Sequence, residues 1–353
     1  PDFADARYNL GIILRDLGKL KEAELSYRKA IEINPNFADA HSNLGNLLRD
    51  LGKLKDAEYL YRKAIELKPE FAESHSNLGR ILSELGNLKE AELSTQKAIK
   101  LNPNLAASYQ NLSLLVYAKG KINSAVENIE KAFSIDPKSK DNQLLLYSLR
   151  DRQSKECLGI SNPIEIKKNQ KVNLSYPIIL KRSVDKELIN SLYNIKAIDL
   201  NKFQDPSFGK AKGSDYKLFE DNEKTTDELK KDLISITKNV VNSNVFFRDS
   251  FFTILSGDSV VTKHNHIGAI DKFVGLNLWK QKYALVYYLS VGDQDCNHPG
   301  ILKFYSDKND NNPNKEILPS EGMIVIFPAD RYHSVKYDGN KDRIIIGVNF
   351  YSI

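Results

Sequence analysis

"SNLGNLLRDLGKLKDAEYLYRKAIELKP" runs from Ser42 to Pro69, and the stretches on either side repeat its pattern. "NLG" begins at Asn9, Asn43 and Asn77 and "NLS" at Asn111, so each step is 34 residues. Small residues return at Ala23, Ala57, Ala91 and Ala125, and again at Ala30, Ala64, Ala98 and Ala132. Gly18, Gly52, Gly86 and Gly120 separate two stretches of helical periodicity in every unit. A fixed period of this length marks stacked units that cannot bury their apolar faces alone. Four units begin at Pro1, Pro35, Pro69 and Pro103. The prolines are expected to open each first helix, where a missing N–H costs nothing.

This pattern resembles the tetratricopeptide repeat family: the period, the two-helix unit, the small residues at helix crossings and the closing proline. The resemblance covers residues 1–136 and implies an all-α superhelix that receives a protein or peptide on its concave face. Ser113 departs from the glycine found at Gly11, Gly45 and Gly79. A polar-faced helix over Ser139–Arg150 is expected to cap the stack, so residues 137–162 read as capping helix and linker. Leu10 and its equivalents read as core, which turns the preceding Asn9, Asn43, Asn77 and Asn111 to another side of the helix. The resemblance makes that side the concave one, and an amide there can donate to and accept from an extended peptide. The alternative is a tolerated surface residue copied along with the repeat. His41 and His75 share a repeat position with Arg7 and Tyr109 and read as packing residues.

The whole chain of 353 residues has room for a second domain with its own core. Apolar and charged fractions of 41% and 27% place it among ordinary soluble proteins. A net charge of +5 without a dominant basic block gives no reason to expect nucleic acid as a partner. No apolar run approaches the roughly 18 residues that would span a bilayer, so no membrane partner is expected. Cys157 and Cys296 are too few for a disulfide framework and suit a reducing compartment, so the expected location is cytoplasmic. The chain opens on Pro1 rather than Met, which suggests a fragment of a longer protein.

Beyond Arg150 the period stops, and "DRQSKECLGISNP" reads as a junction. From Pro163 to the end at residue 353 the pattern is one of short β-rich runs: "YPIIL", "FFTILSG", "YALVYYLS", "GILKFYS", "GMIVIFP" and "RIIIGVNFY". Helical stretches intervene near Val184–Ile195 and Thr226–Val241. Many short strands with few helices point to a β-sandwich or jelly roll. The fold class is therefore α+β multidomain, an all-α array followed by a β domain.

Within that domain, "VTKHNHIGAID" (Val261–Asp271) places two histidines one residue apart after a strand-like run. Alternate side chains share a strand face, so His264 and His266 can reach one ion together. His333 opens a later strand, and Arg343 opens the next, ten residues on. Imidazole suits iron, zinc, copper and nickel, and two near ligands with a distant third assemble an open metal site. His298, beside Cys296, is a weaker candidate in a loop.

The ordered pieces His264–Asn265–His266, Tyr287–Tyr288–Leu289, Gly300–Ile301–Leu302, His333 and Arg343 resemble the iron(II)- and 2-oxoglutarate-dependent dioxygenases of prolyl-hydroxylase type. The resemblance implies a double-stranded β-helix over about 163–353, with Fe(II) and 2-oxoglutarate as cofactors and molecular oxygen as co-substrate. It implies that Arg343 anchors the 2-oxoglutarate carboxylate, with Tyr288 donating to it and Leu302 walling the pocket. Asn349 shares strand parity with Arg343 and is grouped with these residues. One departure stands out: His266 occupies the position where that family usually has a carboxylate. Three readings follow: a site of three histidines, a site in which Asp271 replaces His266, or a degenerate site. The expected function is a hydroxylase with a peptide-recruiting array, its substrate open. The alternative is a non-catalytic scaffold whose β domain only binds.

Overall fold

The computed structural model describes residues 3–157, 177–195, 197–199, 211–214, 216–220, 224–257, 259–268, 271 and 276–353. The chain divides into two compact units, Pro1–Ser161 and Asn162–Ile353.

The first unit is all helical over its described residues. Its helix pairs are α1 (Ala4–Asp16) with α2 (Leu20–Ile33), α3 (Ala38–Asp50) with α4 (Leu54–Leu67), α5 (Ala72–Glu84) with α6 (Leu88–Leu101), and α7 (Ala106–Ala118) with α8 (Ile122–Ile135). The first helix of each pair stops in the same way. Gly18 sits at φ 74°, its N–H donates to the Arg15 carbonyl, and the Lys19 N–H donates to Leu14. That is a Schellman ending, whose left-handed residue favours glycine, and it recurs at Gly52, Gly86 and Gly120.

Within each pair, close approach is set by the small residue on the first helix. A Cβ on Gly45 would meet the Tyr61 ring at 2.9 Å, and one on Gly79 would meet Thr95 Oγ1 at 2.2 Å. Ser113 stands at that position in the last pair, and its Oγ donates to the Ala125 carbonyl at 2.7 Å. His41 and His75 bond through Nε2 to the carbonyls of Pro35 and Pro69, at 2.9 and 3.0 Å.

Three expectations are corrected here. Pro35, Pro69 and Pro103 lie in the turns, three residues before helices that begin at Ala38, Ala72 and Ala106; Pro1 lies outside the described residues. Leu10 is 40% exposed although its equivalent Leu44 is 1% exposed, because the first unit has no described neighbour to cover it. The capping helix α9 runs over Lys140–Cys157, longer than expected, and buries Leu144, Leu145, Leu146 and Leu149.

The second unit is β-rich. Its elements are β1 (Ile178–Lys181), α10 (Lys186–Asn194), β2 (Ile198–Asp199), β3 (Lys212–Gly213), α11 (Lys224–Val241), β4 (Val245–Leu255) and β5 (Ser259–His264). After these come β6 (Lys282–Val291), β7 (Leu302–Tyr305), β8 (Lys315–Ile317), β9 (Met323–Pro328), β10 (Tyr332–Tyr337) and β11 (Arg343–Ser352). They form two antiparallel sheets, ordered β1-β9-β6-β11-β4-β3-β2 and β5-β10-β7-β8. On one side of the large sheet, Leu188 and Leu192 of α10 and Leu229 and Leu233 of α11 join Phe252, Leu285 and Ile344 in one core. A second core takes Ala284, Tyr288 and Val325 from the large sheet and Leu302 and Phe304 from the small one. Strand alternation assigns these roles: Tyr287 faces the helices and Tyr288 the other sheet.

Candidate metal centre and its cavity

His264 ends β5 and His333 is the second residue of β10, and the two are register partners across the small sheet. His266 lies past the strand end, so its approach does not come from strand parity, as the sequence suggested. Its backbone N–H donates to the Ala329 carbonyl at 2.8 Å, which folds the loop back toward β10. One ligand atom from each of the three rings lies within 4.8 Å of the others.

The tautomers of two rings follow from their partners. His264 Nδ1 lies 2.8 Å from the Thr262 carbonyl, and His333 Nδ1 lies 3.1 Å from the Arg331 carbonyl. A carbonyl can only accept, so each Nδ1 carries the proton and each Nε2 keeps its lone pair. The Nε2 atoms of His266 and His333 are 3.3 Å apart. Burial holds all three pKa values down, His266 well below the usual histidine range and His333 to about 3. Three neutral imidazoles with converging ring nitrogens suit a borderline divalent cation.

Asp271 does not join them. It is fully buried, with Oδ2 accepting from Lys282 Nζ at 2.8 Å and from the Gly268 N–H at 2.6 Å. Its Oδ1 accepts from the Tyr351 hydroxyl, also at 2.6 Å. The alternative ligand set is corrected on that ground: the carboxylate is spent on a buried ion pair beneath the His266 loop. His298 is likewise occupied, its Nδ1 lying 2.7 Å from Asp338 Oδ2.

The three histidines open on a cavity of about 450 Å³ that Tyr288, Leu302, Arg343 and Asn349 also line. Arg343 is fully buried. Its Nη1 donates to the Pro299 and Gly300 carbonyls at 3.1 and 2.6 Å, and its guanidinium lies over the rings of Tyr288 and Tyr337. Gly300 makes this possible: at φ 74°, an added Cβ would fall 1.1 Å from Nη1. Nε and Nη2, the other edge of the guanidinium, have no hydrogen-bond partner. Burial pushes the Tyr288 phenol up to about 12, so it keeps its proton. Asn349 stands six residues along β11 from Arg343, about 20 Å at the rise of a strand residue. Both residues line the same cavity.

The repeat asparagines are placed differently from expectation. Asn43 Nδ2 donates to the Tyr8 hydroxyl at 2.8 Å, and Asn77 Nδ2 to Asn46 Oδ1 at 3.0 Å. Asn111 is buried and donates to the Ser76 carbonyl at 3.0 Å. Three of the four therefore tie adjacent units together instead of forming a free row for a peptide; Asn9 is exposed.

Sequence reading missed Lys282, Pro299 and the cradling role of Gly300. Lys282 leaves a faint signal, a cation directly before the apolar run "YALVYYLS".

Tetratricopeptide-repeat family models match residues 4–37, 72–105, 26–59 and 106–139, and a TPR-repeat model matches 45–86. Residues 4–139 form a tetratricopeptide-repeat array. Similar solved structures include PilF of Pseudomonas aeruginosa, 28% identical over 44% of this chain and 70% of that one, with a TM-score of 0.40. A MamA protein is 24% identical over 44% of this chain and 87% of its own, at 0.38. YrrB, described as a tetratricopeptide-repeat protein with an unusual peptide-binding site, is 22% identical over 43% and 79%, at 0.36. No curated protein sequence matches the chain. Among the described residues no helix is long and apolar enough to cross a membrane.

Proposed function

We propose that the β-rich unit is an iron(II)- and 2-oxoglutarate-dependent oxygenase, a hydroxylase, to which the repeat array brings a protein or peptide substrate. The observation that carries this reading is the unpartnered edge of Arg343, buried in the same cavity as three neutral histidines. Nε–H and Nη2–H point in parallel, the arrangement that takes a carboxylate through two bonds. Leaving such an edge dry and unpaired is costly in a folded protein, and a bound carboxylate removes that cost. Charge argues the same way. A divalent cation among neutral imidazoles and the Arg343 cation would leave the pocket strongly positive, and a dianionic oxo acid offsets most of that.

In this reading His264, His266 and His333 hold the metal. Arg343 binds the far carboxylate of 2-oxoglutarate, with the Tyr288 hydroxyl as a further donor and Leu302 as an apolar wall. When bound, the metal would activate molecular oxygen as the oxidant, one oxygen atom passing to the oxo acid as it loses CO2 and the other to the C–H bond that is hydroxylated. The protein's part is orientation and exclusion of water. Two facing antiparallel sheets whose successive strands mostly alternate between them are consistent with the double-stranded β-helix of this enzyme class. An array on the same chain would raise the local concentration of a tethered substrate.

An anaerobic titration of the full chain with Fe(II) and then 2-oxoglutarate tests the reading. The expected result is a visible metal-to-ligand absorption band that saturates at one equivalent. Metal uptake without that band favours the binding-scaffold alternative.

A further inference from the structure

The cavity holds a second unpartnered polar group, opposite in character to the Arg343 edge. Asn349 is 6% exposed and lines the cavity, and its Oδ1 has no hydrogen-bond partner. Its Nδ2 lies 3.5 Å from Oδ2 of Asp249, its register partner on β4. A carboxylate only accepts, so the NH₂ end of the amide must face Asp249 and the oxygen must face away. The orientation of that acceptor is therefore set by the β4–β11 ladder.

The cosubstrate cannot satisfy it. Asn349 Oδ1 needs a donor, and the two carboxylates and the oxo group of the dianion only accept hydrogen bonds. One cavity thus carries a donor edge near one end of β11 and a lone acceptor farther along the strand. Two ligands are needed to satisfy both.

Resting on the oxygenase reading, we propose that Asn349, oriented by Asp249, reads the substrate to be oxidised by accepting a hydrogen bond from one of its amide N–H groups. The walls beside Asn349 include Phe251 and Ala284, its register partner on β6. A neutral amide suits such walls better than an ammonium, which would lose its hydration against apolar surface. Asn349 is in these terms a specificity residue at the substrate end of the pocket.

The test uses the full chain and two probes of matched shape, N-methylacetamide, which has an N–H, and methyl acetate, which does not. Ligand-detected NMR should show the amide bound about fivefold or more tightly, the value of one neutral hydrogen bond. Asn349→Leu, close in volume, should erase that preference. Asn349→Ser keeps an acceptor and should retain part of it, which also serves if the leucine variant does not fold. Neither change should move 2-oxoglutarate affinity by more than about twofold, since the dianion has no hydrogen to donate to the acceptor that is altered. Equal binding of the two probes by wild type, or an undiminished preference in Asn349→Leu, overturns the proposal. So does loss of 2-oxoglutarate affinity in that variant, which would return Asn349 to the cosubstrate. If wild type binds no 2-oxoglutarate, the oxygenase reading fails, and the probe pair still decides what Asn349 accepts.

Discussion

The repeat array and the β-rich unit treat their polar side chains in opposite ways. In the array, Tyr8, Asn43, Asn46, Tyr61 and Asn77 hydrogen-bond to one another across three successive units. Its orphaned atoms are mostly single neutral groups spread along the helices, such as the hydroxyls of Thr95, Ser108 and Ser148. In the β-rich unit the orphans gather: Arg343 Nε and Nη2 and Asn349 Oδ1 line the one cavity that the three histidines share. Polar groups that satisfy each other hold a fold together. Polar groups that converge without doing so are poised for something else.

The largest expected effect tests the histidine cluster. His333→Ala should abolish stoichiometric binding of Fe(II), or of zinc or nickel in its place, read by metal analysis after dialysis. His333 gives its Nδ1 proton to a carbonyl, so removing it takes away a lone pair already aimed. Full retention of metal by this variant would mean that the convergence of rings is only packing.

Asp271→Ala sharpens the same contrast, because here a charged group is fully satisfied. Lys282 would be left buried and unpaired, which costs about 3–5 kcal/mol. A large fall in the denaturation midpoint is expected, with metal still bound by whatever protein remains folded. A variant of normal stability that has lost its metal would restore Asp271 as a ligand.

Arg343→Ala should weaken 2-oxoglutarate by about 2–5 kcal/mol, roughly thirtyfold or more, and leave the metal in place. Gly300→Ala should act in the same direction, because its Cβ would occupy the position of Nη1. Isothermal titration reads both. Unchanged affinity in Arg343→Ala would place the anchor elsewhere or exclude 2-oxoglutarate as the ligand.

Legibility in the sequence follows the same division. The 34-residue period exposes the array because each unit obeys the same packing rule, so four copies report one structure. Only its end effects escape: the exposure of Leu10 and the length of α9 depend on which neighbours exist, which no repeat encodes. The long strands β4, β6, β9 and β11 are legible as apolar runs. The three-residue β8 and the two-residue β2 and β3 are not, since so few residues carry no period. In the cavity, His264, His333 and Arg343 stand out by type and spacing. Asp271 cannot be sorted from His266 by sequence, because the Lys282 that claims it lies eleven residues away. The asparagines mislead for a related reason. Their period is visible, but the partners that occupy them sit one unit back.

The smallest expected effect therefore falls on those asparagines, and it is one of stability rather than of peptide binding. Asn43→Ala removes the bond to Tyr8, and Asn77→Ala removes the bond to Asn46. Each neutral bond is worth about 0.5–1.5 kcal/mol net, so each single change should lower array stability by about that much. The two bonds are linked, because Asn46 donates to Asn43 and accepts from Asn77. The double variant should then depart from the sum of the singles by about 0.5 kcal/mol or more, as members of one network do. Urea unfolding of the full chain, followed by helical circular dichroism, measures all three variants. Asn111→Ala belongs at the upper end of the range, because its amide is buried and leaves the Ser76 carbonyl without that donor. If instead all the variants unfold with wild type while capture of peptide partners is lost, the asparagines face a ligand after all. The contrast between a self-satisfied array and an unsatisfied cavity would then fail on the array's side.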